Sequence, residues 1–422
     1  MTTKQTTAQF NQSSIQQPAR PSGGFINSQM KPIYLDYNAT TPVDSEVAEA
    51  MKPFLSEIFG NPSSAHEYGL RAKAAVGQAR MQVAGLIGCT SEEIVFTSGG
   101  SESNNFALKG VAFANRLKGN HIITSSVEHP AVTEVCRYLA ANGYSITYLP
   151  VDEYGLVNPK DVEGAITSKT ILISIMHANN EVGTIQPVEE IGEIAHKHNL
   201  LFHTDAAQSV GKIAVDVNRM KADLLSVAGH KLYAPKGIGA LFIRKGVKLE
   251  KLIHGANHEM DQRAGTENIL EISGLGKACE IAKRDLEKNR THMLRMRDSL
   301  YQGLIASIPD IRLNGHPENR LPNTLSLGFR GMEANTLLSE LTGIAASAGA
   351  ACHSGGIKVS SVLSAMNTPE EYAMGTIRFS TGKYTTSQEI NDAVKHIVST
   401  IARLKNESTT KSIVERHCEG EA

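Results

Sequence analysis

The feature that most constrains this chain lies between residues 94 and 243, where short runs that are almost wholly apolar alternate with longer amphipathic stretches. Ile171-Leu172-Ile173-Ser174-Ile175 is apolar at nearly every position. A strand with one solvated face alternates apolar and polar residues; a strand covered on both faces does not. The pattern predicts an α/β protein: a mostly parallel, seven-stranded sheet covered by helices. Strands are expected over residues 94–97, 121–125, 145–149, 171–176, 200–204, 224–227 and 238–243. Helices are expected over 103–116, 130–141, 188–198 and 217–221.

From about Leu275 to Leu304 the chain reads as one long, charged helix, suited to bridge two domains. Beyond it, 323–327 and 376–380 read as strands and 388–404 as a closing helix. The expected division is a disordered tail over 1–30, a small α+β domain from 31–45 and 286–405, a large domain over 46–285, and a flexible tail over 406–422.

Forty-two basic residues balance 43 acidic ones, a formal net charge of −1. Such a chain has no overall field for nucleic acid or anionic membrane, and no apolar run approaches the ~18–20 residues of a membrane helix. The five cysteines (Cys89, Cys136, Cys279, Cys352, Cys418) are odd in number, scattered and without a C-x-x-C pair. This argues against a disulfide framework or a structural zinc site, and for a reducing, cytoplasmic setting. The first 30 residues hold no acid, only Lys4 and Arg20 as bases, and no apolar core of a secretory signal. With so few basic residues they read as a disordered tail rather than an organelle transit peptide.

Four segments at expected strand ends carry chemistry, where open α/β sheets bind ligands. In Phe96-Thr97-Ser98-Gly99-Gly100-Ser101, a strand runs through a glycine pair into a helix, either a phosphate cradle or a plain turn capped by Ser101. In His203-Thr204-Asp205-Ala206-Ala207-Gln208, Asp205 ends a strand, either to pair with a cationic ring nitrogen or to cap a helix. In Gly229-His230-Lys231, the lysine follows an apolar strand. Its amine can form a Schiff base there, although lone lysines are usually solvated. In Gly349-Ala350-Ala351-Cys352-His353-Ser354-Gly355-Gly356, Cys352 sits among small residues, on an expected loop. It is either a buried small hydrophobe or a thiol that His353 helps to ionise.

Taken together, these motifs resemble the cysteine desulfurases of the NifS/IscS type, class V, fold-type I PLP (pyridoxal 5'-phosphate) enzymes, and also the selenocysteine lyases. The resemblance covers about residues 33–405. It also includes Tyr34-Leu35-Asp36-Tyr37-Asn38-Ala39-Thr40-Thr41-Pro42, Ser126-Val127-Glu128-His129, Asn179-Asn180-Glu181-Val182-Gly183 and Arg378-Phe379-Ser380-Thr381-Gly382. It implies that 46–285 is the PLP-binding domain. Lys231 resembles the lysine that holds PLP, Asp205 the acid on the ring nitrogen, and His129 the histidine stacked on the ring. Gln208 resembles the donor to the ring hydroxyl, and Gly100, Ser101 and His230 the phosphate-binding residues. Thr266 resembles a phosphate ligand contributed across a homodimer. Asn179 and Arg378 resemble the binders of the substrate carboxylate, a role that suits a planar guanidinium. Cys352 resembles the nucleophile that takes sulfur from L-cysteine, or selenium from L-selenocysteine, leaving alanine. A sulfur-acceptor or scaffold protein is implied as partner. No resident metal is implied, although Cys352 is suited to ligate a transient iron–sulfur cluster. An aminotransferase or another lyase of the same class is a further reading, one that needs no cysteine.

Three departures stand out. Ala228 occupies a position where bacterial members commonly carry a phosphate-binding serine. Ala256-Asn257 replaces a glycine pair, and Met260-Asp261-Gln262 differs from an Arg-Gly-containing stretch. His353 follows the cysteine where many desulfurases have Thr or Ser, as selenocysteine lyases do.

Overall fold

The computed structural model describes residues 32–353 and 356–419, with only the backbone described over 350–353, 356–358 and 408–419. The tail expected over 1–30 lies outside the described residues.

All seven strands form one sheet. Its spatial order is Ile94–Thr97, Gly239–Ile243, Leu224–Ala228, Leu201–Asp205, Thr170–Ser174, His121–Ser125 and Ser145–Leu149. Gly239–Ile243 alone is antiparallel to its neighbours; the other pairings are parallel. Each strand except the edge strand Ser145–Leu149 is buried along nearly its whole length, which is why the runs are continuous rather than alternating.

Several elements differ from expectation. Residues 217–221 form turns rather than a helix. Asp216 Oδ1 accepts from the N–H groups of Asn218 and Arg219, and Lys221 turns left-handed at φ 49°. The expected long helix is two, Ile269–Arg284 and Leu286–Ile305, parted at Asp285 (φ −107°). Helix Glu67–Ile87 was not anticipated, because its buried face is largely alanine and glycine and so weakly apolar. Those small residues let it pack closely on Ile269–Arg284: a Cβ at Gly276 would stand 2.5 Å from Ala79 Cα. The closing helix spans Ser387–Glu419, past the expected Leu404, since no proline or glycine interrupts the chain before Gly420.

The smaller sheet is antiparallel, in the order Ser347–Ala348, Thr376–Ser380, Thr324–Phe329, Ile311–Asn314. Ile377 and Phe379 are fully buried in its core, so Arg378 between them emerges on the opposite face. The segment expected as a loop around Cys352 is in part paired: Ala350–His353 runs antiparallel to Gly356–Val359, with Cys352 opposite Ile357. The β-branched Ile357 and Val359 favour an extended strand there.

Apolar side chains from Val47 to Ala282 pack on the two faces of the large sheet. Leu35 and side chains from Met296 to Ile401 form a separate core. We propose the division near residues 45 and 285 on this partition. A small cluster joining Val127, Met176 and Val182 to Val362, Leu363 and Met366 spans it.

Candidate active site

Because only one strand of the large sheet runs against the rest, the carboxyl ends of the others open on one side. A cavity of about 380 Å³ lies there. Its walls include Gly100, Ser101, His129, Asp205, Gln208, Ala228, His230, Lys231 and Arg378, with Asn38, Asn104 and Asn180 beside them.

Each group arrives by a short path from a strand end. Leu201–Asp205 ends on its carboxylate. Asp205 Oδ2 accepts from Asn104 Nδ2 (2.7 Å) and Oδ1 from the Ala207 N–H (2.9 Å), which fixes the plane of the acid. Leu224–Ala228 passes into one 3₁₀ turn, Gly229–Lys231, that lifts the lysine into the cavity. Its Nζ donates to the Ala39 carbonyl (2.8 Å) and to that of Asn38. Burial lowers the Lys231 pKa to about 8, with Arg378 acting in the same direction and Asp36 and Asp205 opposing. An amine so placed is available as a nucleophile near neutral pH.

Ile94–Thr97 turns at Gly99 (φ 150°) into helix Gly100–Ala114, whose first N–H groups lack helical partners. A Cβ at Gly100 would stand 3.2 Å from Ala228 Cβ, tighter than ordinary contact. His230 Nδ1 lies 3.2 Å from Thr40 Oγ1, and burial lowers its pKa to about 4, so it is a neutral donor or acceptor. His129 caps helix Pro130–Ala141: its Nδ1 accepts from the Ala131 N–H (3.1 Å), leaving Nε2 to carry the ring proton. Desolvation depresses the His129 pKa, Asp205 opposes that and Lys231 assists it. Arg378 donates Nη2 to Asp36 Oδ1 (2.8 Å) and Ser347 Oγ (3.0 Å), and Nη1 to the Asn180 carbonyl (3.0 Å), while its buried Nε has no partner among the described residues.

Two expected site residues are not brought to this cavity. Asn179 is buried and fully engaged: Nδ2 donates to the Val127 carbonyl (2.9 Å), and Oδ1 accepts from the N–H groups of Glu181 and Val182. It shapes the turn, and its neighbour Asn180 lines the cavity instead. Thr266 is exposed and is not among the cavity's lining residues. The Cys352 side chain lies outside the described atoms. Asp36, Asn38 and Lys212 were not anticipated as site residues. Asp36 and Asn38 fall within a quoted motif, and Lys212 follows Gln208 by one helical turn's spacing, but their roles depend on tertiary contacts.

The donor set fits pyridoxal phosphate: one amine, one fixed carboxylate, and a cradle closed by Gly100, Ser101 and His230, where a side chain at residue 100 would crowd Ala228. Asn104 Oδ1 is buried beside Asp205 without a partner among the described residues. Ala228 lines the wall with a methyl group, so no hydroxyl reaches the cradle from that position. Among the described residues no group of three His, Cys, Asp or Glu side chains is arranged to hold a metal, and no helix is long and apolar enough to cross a membrane.

The family model "Aminotransferase class-V" matches residues 33–392. The chain is 48% identical over 388 residues to a protein of Methanosarcina thermophila named "Cysteine desulfurase IscS", covering 92% of this chain and 96% of that one. The chain belongs to the cysteine desulfurase branch of the class-V aminotransferase family. Solved structures of this family carry the same fold. One titled "NIFS-LIKE PROTEIN" superposes with a TM-score of 0.83 at 39% identity, covering 88% of this chain and 99% of the other. Another, "SspA in complex with cysteine", gives 0.75 at 39% identity, covering 84% and 100%.

One group near this desulfurase-family site makes a distinct prediction. Glu128 is fully buried next to His129; Oε1 accepts from Ser125 Oγ (2.7 Å) and the Met176 N–H (2.9 Å), and Oε2 has no partner among the described residues. Burial raises its pKa to about 8, and Asp205 adds to the rise. The folded protein therefore holds a proton that the unfolded chain releases above its ordinary value of 4.5. The resulting stabilisation is complete below that value and falls as pH rises to about 8. Glu128→Gln is expected to lose less stability than the wild type between pH 5 and pH 8 in parallel urea melts. Parallel pH profiles would exclude the assignment.

Proposed function

We propose that this chain is a PLP-dependent cysteine desulfurase that converts L-cysteine to L-alanine and carries the released sulfur as a persulfide on Cys352. The observation that carries the reading is one cavity lined by both the Lys231 amine and the fixed Asp205 carboxylate, with Arg378 on its wall. The titled complex of the related SspA with cysteine supports cysteine as substrate.

When bound, pyridoxal phosphate supplies an electron sink conjugated to the substrate's α-carbon. Lys231 would hold the cofactor through Nζ and move the α-proton. Asp205 would keep a proton on the ring nitrogen, and its hydrogen bonds from Asn104 and Ala207 hold it in place for that task. His129, with only Nε2 left for proton handling, would lie against the ring. Gln208 would donate to the ring oxygen, and Gly100, Ser101 and His230 would hold the phosphate. Arg378 binds the substrate carboxylate through its forked N–H groups. The thiolate of Cys352 attacks the substrate sulfur. The S–S bond forms as the C–S bond breaks, and the carbon takes up a proton to give alanine. Burial pushes the Cys89, Cys136 and Cys279 thiols up to about 12, so none of these three competes as a nucleophile. Because Thr266 lies away from its own chain's cavity, a homodimer in which it reaches the partner's cradle belongs to the same proposal.

The test is a visible spectrum of the purified protein, then addition of cysteine with assays for alanine and for persulfide. Cys352→Ala is expected to keep the cofactor absorbance and to form no persulfide; desulfuration at the wild-type rate would exclude the mechanism. A parallel assay with selenocysteine decides between sulfur and selenium: negligible turnover of cysteine would overturn the desulfurase reading in favour of a lyase.

A further inference from the structure

Gln208 and Lys231 meet a second lysine that the mechanism above leaves unused. Lys212 is buried, 5% exposed. Its Nζ donates to Gln208 Oε1 (2.8 Å) and lies 3.4 Å from Asn38 Oδ1. The Gln208 amide is thereby oriented. The Lys212 amine donates to this oxygen and to Asn38 Oδ1, so the Gln208 NH₂ group points away from it. That NH₂ now donates to the Asn38 carbonyl (3.1 Å), the same carbonyl that receives Lys231 Nζ. The Asn38 side chain is fixed in turn: Oδ1 accepts from Asn323 Nδ2 (2.9 Å) and Nδ2 donates to Thr324 Oγ1 (2.8 Å).

Lys212 forms no ion pair among the described residues; burial lowers its pKa well below the usual lysine range, and the cations Lys231 and Arg378 act in the same direction. Lys212 and Lys231 also share the wall of a small cavity of about 20 Å³ with Asp44 and Lys383, which are paired with each other. What the buried Lys212 amine fixes by its position is the Gln208 amide, which stands where the ring oxygen would arrive.

We propose that Lys212 is a positioning residue that aims the Gln208 N–H at the ring oxygen of the cofactor. This inference rests on the proposed function. The groups facing Lys231 are Arg378 and Asp36 from the small-sheet side, Asp205 and His129 across the cavity, His230 beside it, and Lys212. Asp36 is already paired with Arg378.

The test is a pH titration of the visible absorbance of the holoenzyme, with a thermal melt of each variant. In Lys212→Gln, whose amide can either donate or accept and so no longer fixes which way Gln208 turns, the midpoint should rise by about 1 pH unit, because the ring oxygen loses its aimed donor. Gln208→Ala should raise it as well, by removing the donor to the ring oxygen. The double variant should shift less than the sum, since one effect passes partly through the other. An unshifted midpoint in a folded, cofactor-bearing Lys212→Gln overturns the inference. So do strictly additive shifts, and so does an unshifted Gln208→Ala, which reads the relay even where Lys212 variants do not fold. A wild-type protein without a cofactor band would instead sink the underlying functional reading.

Discussion

Replacing Lys231 with alanine is expected to reduce alanine formation from cysteine by about 10²–10⁴-fold and to abolish the pH-dependent visible band of the lysine–cofactor linkage. Phosphate and ring contacts remain, so the cofactor should still associate, but without a covalent bond. The large effect follows because one amine both holds the cofactor and moves the α-proton. Lys212 is the other buried amine nearby and is tied to Gln208 and Asn38, so it is not free to substitute. Single-turnover assays with added methylamine should restore part of the rate. A variant that turns over cysteine as fast as the parent, with its band intact, would remove Lys231 from the mechanism.

Glu259→Ala should give the largest loss of stability of any change considered. Glu259 is 5% exposed. It pairs twice with Arg80 (2.7 and 2.8 Å) and accepts the Phe96 N–H (2.8 Å). It thereby joins helix Glu67–Ile87 to strand Ile94–Thr97, which feeds the phosphate-side turn. Removing it leaves the Arg80 guanidinium, stacked 4.7 Å from the Phe96 ring centre, without its counter-ion. Breaking a buried pair on one side costs about 3–5 kcal/mol. For a domain this size that corresponds to a fall in melting temperature of roughly 2–4 °C per kcal/mol. Arg80→Ala in the same background should recover part of the loss, because the uncompensated charge goes with it. A loss of about 0–1 kcal/mol, as for exposed pairs, would mean that the pair is solvated in solution.

The seven-stranded sheet was readable because a two-sided burial requirement leaves a continuous apolar run, and each run is a strand. Helix Glu67–Ile87 escaped notice for the complementary reason: close helix packing selects Ala72, Ala79 and glycine neighbours, which carry almost no apolar signal. Asp205 and Lys231 stand at the ends of runs that the sequence shows, whereas Arg378 lies within strand Thr376–Ser380 and was singled out by the resemblance. Asn179 turns away from the cavity that Asn180 lines, since nothing local distinguishes which of two adjacent asparagines turns inward; the backbone turn that Asn179 itself closes decides it. Asn38 acts through partners 142 to 342 residues away, a kind of relation no window of sequence contains, and Lys212, four residues from Gln208, meets the site through Asn38 as well.

Asn38 and Ala39 supply the carbonyls that hold the Lys231 amine, and Asn38 N–H in turn donates to Ser380 Oγ (2.9 Å). A residue near the start of the described chain is thus seated by one made more than three hundred positions later. On the ribosome, the large sheet has all its strands by residue 243, yet the wall around the reactive amine stays unfinished until residue 380 has cleared the exit tunnel. A nascent chain halted before that point would present a complete sheet with an unguarded amine.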